Sequence, residues 1–283
     1  MTNLDQFESV FKSADRQLFS SVEIELETIL LVADGDTDQS EQMLYDLKQI
    51  LAGIPLLESA TFDSISGDQY DSIQQLMGMI EQRRPDLICT VRNLKSFQPE
   101  LPHSLGSYVD VMTQVLACPV LLLPRPGPEC RWTAVRDVMA ITDHLAGDNQ
   151  LVSHACYFTP AEGTLILAHV EDQRTFDRYV QTIAKIPTIE TAMAESLLRE
   201  QLLKEPTLFI ENCRQQLVQQ RGDSIQIEAV VTIGQQLEDY RKLIEQHQLD
   251  LLVMNTKDDD QLAMHGLAYP LTIELCEIPL LLL

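Results

Sequence analysis

Residues 255–269, NTKDDDQLAMHGLAY, hold two amides, a lysine, three consecutive aspartates and a histidine within one polar stretch. The run DLLVM precedes it and reads as a buried strand; a short helical pattern and then IPLLLL follow. A polar loop between a strand and a helix is where many α/β proteins hold phosphate, because the unpaired N–H groups that open the helix face negative charge. Such loops are normally rich in glycine, and this one is rich in acid. Adjacent carboxylates suit Mg²⁺ or Ca²⁺, but a specific site needs convergent ligands from elsewhere in the chain. None is evident, so no metal site is expected.

Other chemistry-bearing residues read the same way. DGDTDQSE, residues 34–41, starts like a calcium loop, yet Gln39 stands where the loop needs glycine and Tyr45 where it needs glutamate. It reads instead as a strand end followed by a helix start, with Asp38 or Ser40 as N-cap. His144, His154 and His169 are scattered and lack paired Cys/His spacing, which argues against zinc. Ser153, His154 and Cys156 are neighbours in sequence, but one helix does not set them as a catalytic triad. No GxSxG, HExxH or Walker pattern occurs. No catalytic residue is assigned.

The net charge of −23 over 283 residues argues against nucleic acid and anionic membrane as partners, since both require a basic surface. The six cysteines form no CxxC pair and mostly lie within apolar runs, as small buried hydrophobes do. The opening MTNLDQFESV has no signal-peptide pattern, and no apolar run approaches the ~20 residues needed to span a bilayer. The expectation is a cytoplasmic protein.

The elements that would position these residues repeat. PDLICTVRN resembles LDLLVMNTK, CPVLLLP resembles IPLLLL, and ILLVADGD resembles DVMAITDH, in the same order both times. Amphipathic helical patterns separate them, at residues 42–51, 72–80 and 237–247. Apolar strands alternating with such helices predict parallel sheets covered on both faces. Two related units are therefore expected, at 26–124 and 134–283, after an N-terminal extension of residues 1–25. RPGPECRW, residues 125–132, is the predicted linker. The second unit is longer by about one βα unit and carries TLILAHVED, long helical patterns and SIQIEAVVTIG; the first has only PLLESATFD in that region. Pro206 is expected to start a new helix or kink the old one. Part of SSVEIELE is a candidate extra strand.

These strand ends resemble the universal stress protein family in tandem form. The resemblance rests on Asp34 and Asp143 ending a strand, His169-Val170 ending a later one, DLIC and DLLV opening another, and ACPVLLL and EIPLLLL leading into the last. It implies two parallel-sheet α/β sandwiches in tandem, of the adenine nucleotide alpha hydrolase-like class, the first one shortened. Many members bind ATP through a loop patterned Gly, two residues, Gly, nine residues, Gly, then Ser or Thr. The strand-one Asp and a backbone group after strand two hold the adenosine in those members.

In the second unit the spacing is kept by Asn255, Asp258, Ala268 and Tyr269, with every glycine and the hydroxyl replaced. Carboxylates at 258–260 oppose polyphosphate: a like-charge pair at 4–6 Å costs about 3–4 kcal/mol at an effective dielectric near 20. In the first unit Val91 and Leu94 replace two glycines, and Gly106-Ser107 survives at altered spacing. The cleft candidates are therefore Asp143, Val170, Asn255, Asp258, Ala268 and Tyr269, with Asp34, Gly106 and Ser107 as a first-unit remnant. No cofactor is expected. The reading is a non-enzymatic stress-response protein acting through an unidentified partner or small ligand. An ATP-binding sensor or weak ATP hydrolase using the second unit is the alternative.

PVLLLP and IPLLLL would aggregate as exposed sheet edges. Pairing them within the chain covers both, predicting an internal pseudo-dimer joined by antiparallel last strands. A homodimer of whole chains stays open.

Overall fold

The computed structural model describes residues 19–54, 57, 59–96, 104–125, 132–141, 149–256 and 267–283. The first half contributes β1 (Thr28–Val32), α1 (Thr37–Leu51), β2 (Thr61–Ile65), α2 (Ile73–Arg83), β3 (Leu87–Val91), α3 (Ser107–Val115) and β4 (Val120–Leu123). The second contributes β5 (Asp137–Ile141), α4 (Asn149–Phe158), β6 (Thr164–Asp172), α5 (Gln173–Ile183), α6 (Thr191–Arg221), β7 (Gln226–Gly234), α7 (Gln236–His247), β8 (Leu251–Met254), α8 (Ala268–Glu274) and β9 (Leu280–Leu282). The protein is a mixed α/β structure on one sheet, ordered β2-β1-β3-β4-β9-β8-β5-β6-β7. Every adjacent pair is parallel except β4 and β9, which run antiparallel with Leu121 opposite Leu281. Both strands are buried along their length, as their unbroken leucine-rich runs require.

The halves share a register. Thr28 faces Thr61 and Ile29 faces Leu87; likewise Asp137 faces Thr164 and Val138 faces Leu251. The Asp that opens DLIC and DLLV is part of this frame. One Asp86 carboxylate oxygen accepts from the Glu27 and Thr28 amides at 3.0 and 2.9 Å. Asp250 accepts from Arg136 and Asp137 at 3.0 Å each. Each Asp amide in turn donates to the first residue of the neighbouring strand. These two acids knot the amino ends of the strands, at the end away from any carboxyl-end cleft. β7 has no counterpart among the described strands of the first half.

Two local expectations need correction, and one of the two alternatives at Pro206 is removed. Residues 20–27 form no strand: the Ser20 and Val22 amides go instead to the Asn149 and Ser153 side chains, at 3.2 and 2.9 Å. The N-cap of α1 is Asp36, whose carboxylate takes the Gln39 amide while Gln39 reaches back to the Asp36 amide. That reciprocal pair satisfies two open donors, which Asp38 or Ser40 alone would not. Helix α6 runs through Pro206 without restarting. An interior proline costs about 3 kcal/mol; burial of Phe209, Ile210, Cys213 and Leu217 in the following turns offsets it.

The halves grip each other beyond the sheet. Residues 19–22 cross onto the second half, the Phe19 amide donating to Asn212 Oδ1 at 2.8 Å. This strap helps explain why every residue from 151 to 158 on α4 is buried. The Arg92 guanidinium, buried at the end of β3, donates to the Thr272 carbonyl and, at 2.5 Å, to the Leu275 carbonyl. It thus caps the last turn of α8, where open carbonyls gather.

Candidate functional site

In a parallel α/β sheet, ligands bind outside the carboxyl ends of the strands, where loops diverge. In the first half that region is bonded shut. Asp34 follows β1, and its Oδ2 accepts from Arg125 Nη2 at 2.5 Å. Arg125 also donates to the Arg92 and Asn93 carbonyls, at 2.8 Å each, and so spans the ends of β1 and β3. The loops after β1 and β2 touch directly: the Gly67 amide donates to the Gly35 carbonyl at 2.6 Å. A Cβ on Gly67 would lie 2.2 Å from the Asp34 carbonyl oxygen, so only glycine permits this approach. Lys95 Nζ donates to the Gly67 carbonyl and, at 2.7 Å, to the Tyr70 carbonyl, and sits 4.6 Å from the Tyr70 ring centre. The Tyr70 hydroxyl donates to the Ala33 carbonyl at 2.8 Å, and burial pushes its pKa up.

Gly106 and Ser107 open α3 beside this region. Gly106 has φ +82 and ψ 150, and a Cβ there would lie 2.8 Å from the Asn93 Cα. The Asn93 amide donates to the Leu105 carbonyl at 2.7 Å. Close packing of the Asn93 loop on the start of α3 therefore accounts for this glycine.

In the second half, Val170 is buried on β6 and both its backbone groups are engaged. Its amide donates to the Tyr240 hydroxyl oxygen at 2.9 Å, and its carbonyl accepts from Gln236 Nε2 at 2.9 Å. Both partners come from α7. Asn255 follows β8 and is exposed; Thr256 beside it is buried and bonded through Oγ1 to the Leu283 carbonyl at 2.7 Å. Ala268 is buried and Tyr269 half-exposed in the first turn of the seven-residue α8. Asp143 and Asp258 lie outside the described residues.

A cleft of about 550 Å³ opens between α7 and α8. Asp172, Arg174, Gln236, Arg241, Lys242 and Glu274 line it. Arg241 lies 3.7 Å from Glu274 across it, while Lys242 pairs along α7 itself, 2.9 Å from Glu238 and 3.2 Å from Asp239. The Asp172 carboxyl is held below its ordinary pKa. Desolvation opposes this, and the Thr175 hydroxyl, the Thr175 and Arg174 amides and the Arg174 charge outweigh it. Among the described residues no group of three or more His, Cys, Asp and Glu could hold a metal ion.

Sequence reasoning missed Arg125, Lys95, Gln236 and Tyr240. Arg125 reads as the start of a linker and Tyr240 as an apolar helix position. His154 is buried on α4, its Nδ1 2.8 Å from the Gln150 carbonyl, in the helix interior rather than any cleft.

The fold is a mixed α/β architecture on one mostly parallel nine-stranded sheet. Solved structures similar to this chain include a universal stress protein from Archaeoglobus fulgidus, 11 % identical, with a TM-score of 0.47 over 90 % of this chain and 95 % of that one. They also include a functionally unknown protein from Pseudomonas aeruginosa, 14 % identical, with a TM-score of 0.49 over 91 % and 92 %. No protein-family model matches the sequence, and no curated protein matches it. No helix among the described residues is long and apolar enough to cross a membrane.

Proposed function

We propose that the chain is a tandem universal-stress-type protein acting in stress adaptation by binding a partner or small ligand, without catalysis and without the family's use of ATP. The observation that supports this is internal saturation. Of the groups that the resemblance assigns to adenosine, the described ones are Asp34 in the first half and the Val170 backbone in the second; Asp143 lies outside the described residues. Asp34 is bonded to Arg125, and the Val170 amide and carbonyl are bonded to Tyr240 and Gln236. A nucleotide would have to displace these bonds, and a buried polar group left without its partner costs about 1–3 kcal/mol.

Adenine nucleotide in the second half is the competing reading. It is favoured by Asn255, which is exposed at the first position of the loop spacing. Denaturing the purified protein and identifying any released nucleotide separates the two, together with a thermal shift in ATP and Mg²⁺. The proposal expects no nucleotide and no shift. Co-purified nucleotide, or a shift of several degrees that Asp143→Ala abolishes, would overturn it in favour of a sensor or weak hydrolase.

A further inference from the structure

Helix α6 has 31 residues, about 46 Å at 1.5 Å per residue, against about 30 Å for the nine-residue strands β6 and β7. Its buried residues are Pro206, Phe209, Ile210, Cys213 and Leu217. Nothing from 191 to 205 is buried. The amino-terminal half instead pairs with α5, where Phe176 is buried and the Arg199 guanidinium sits 4.7 Å from its ring. Ala194, Leu198 and Leu202 are half-buried on one side of this half. The other side carries Glu190, Met193, Leu197, Gln201, Lys204 and Leu208, all exposed. Their spacing of three, four, four, three and four keeps them on one helix face, about 100° round from the half-buried one. Met193 is 64 % and Leu197 54 % exposed, an unusual state for two adjacent large apolar residues on one face.

Charge identifies the occupant. The chain carries −23, so two copies repel over most of their surfaces. Residues 173–205 hold five Lys or Arg and five Asp or Glu, and are neutral. The exposed face is also its own complement. When two copies of α6 cross antiparallel about Leu197, Glu190 of one faces Lys204 of the other, twice over, and Met193 faces Gln201. A twofold interface has this property by construction.

We infer that α6 is a homodimerisation element, its exposed amino-terminal face pairing antiparallel with the same face of a second copy. The face measures roughly 22 Å by 10 Å per copy from helix dimensions, below the ~800 Å² per partner of a tight complex. The dimer is therefore reversible and dissociates on dilution.

Sedimentation of the full chain over a dilution series tests this. Wild type is expected to pass from the 32.0 kDa chain mass to twice that value with rising concentration. Leu197→Glu, and the milder Leu197→Gln, are expected to remain monomeric with unchanged circular dichroism. Tyr45→Glu, at an exposed apolar residue outside α6, is expected to dimerise as wild type does. Lys204→Glu is expected to weaken the dimer roughly tenfold through its two symmetric contacts, and Glu190→Lys in the same chain to restore it. A wild type that stays monomeric at every concentration, Leu197 variants that still dimerise, or a Lys204→Glu defect that Glu190→Lys fails to relieve would each overturn the inference.

Discussion

Arg125 and Asp34 are 91 residues apart in sequence and 2.5 Å apart in the fold. The guanidinium that follows the last strand of the first half ends on the carboxylate that follows its first strand. Arg125→Ala removes this contact and two further bonds to carbonyls, leaving a mostly buried carboxylate without its guanidinium. Hydrogen bonds to charged groups contribute about 1.5–3 kcal/mol each when buried, and partial exposure reduces that. A loss of about 2 kcal/mol is expected in urea unfolding, with no gain of ATP binding.

Two glycines in the same region are held by close contacts. Gly106→Ala forces a Cβ against Asn93 in a backbone region that is essentially confined to glycine, at a cost of about 1–3 kcal/mol. Gly67→Ala places a Cβ against the Asp34 carbonyl and must separate the two loops. Both variants are expected to melt earlier than wild type. A neutral Gly67→Ala would mean that the first-half loops are not packed together.

In the second half the corresponding test is Tyr240→Phe. It keeps the ring and removes the hydroxyl that meets the buried Val170 amide. An unsatisfied buried donor costs about 1–3 kcal/mol, so a lower denaturation midpoint with unchanged slope is expected. Gln236→Ala should cost less, because its partner is a carbonyl at a part-buried site.

His154 gives the fold an acid-side sensitivity. Burial lowers its pKa below the ordinary 6.5, and the Gln150 carbonyl opposes this in part. As pH falls through about 6.5, the unfolded chain takes up a proton that the folded imidazole resists. Stability from this residue is therefore full above that pH and declines below it, toward the folded pKa. His154→Gln is expected to flatten the fall in denaturation midpoint between about pH 7 and pH 5.

The strands were legible because buried parallel strands are written as unbroken apolar runs. DLIC, DLLV, VLLL and LLL all lie where such runs predict, and the leucine strands meet at the centre of the sheet. Residues 20–27 misled because the alternation of Val22, Ile24 and Leu26 suits a strand, and whether a strand forms depends on a free sheet edge nearby. None of the site residues read from the sequence that the structure describes lines the cleft between α7 and α8. Loop spacing marks where a ligand would lie, whereas Arg125, Lys95 and Tyr240 reach it from distant elements, and nothing local in PRPG or EDYRK announces that reach. The exposed α6 face was visible only in part, since Met193 and Leu197 read as ordinary core until burial separates the two faces of the helix.

The single antiparallel joint between β4 and β9 sets the polarity of the whole particle. Strands of one half run opposite to those of the other, so their carboxyl ends open at opposite poles. Anything bound at Asp34 and anything bound beside Asn255 would be separated by the length of the sheet, unable to touch or share a ligand.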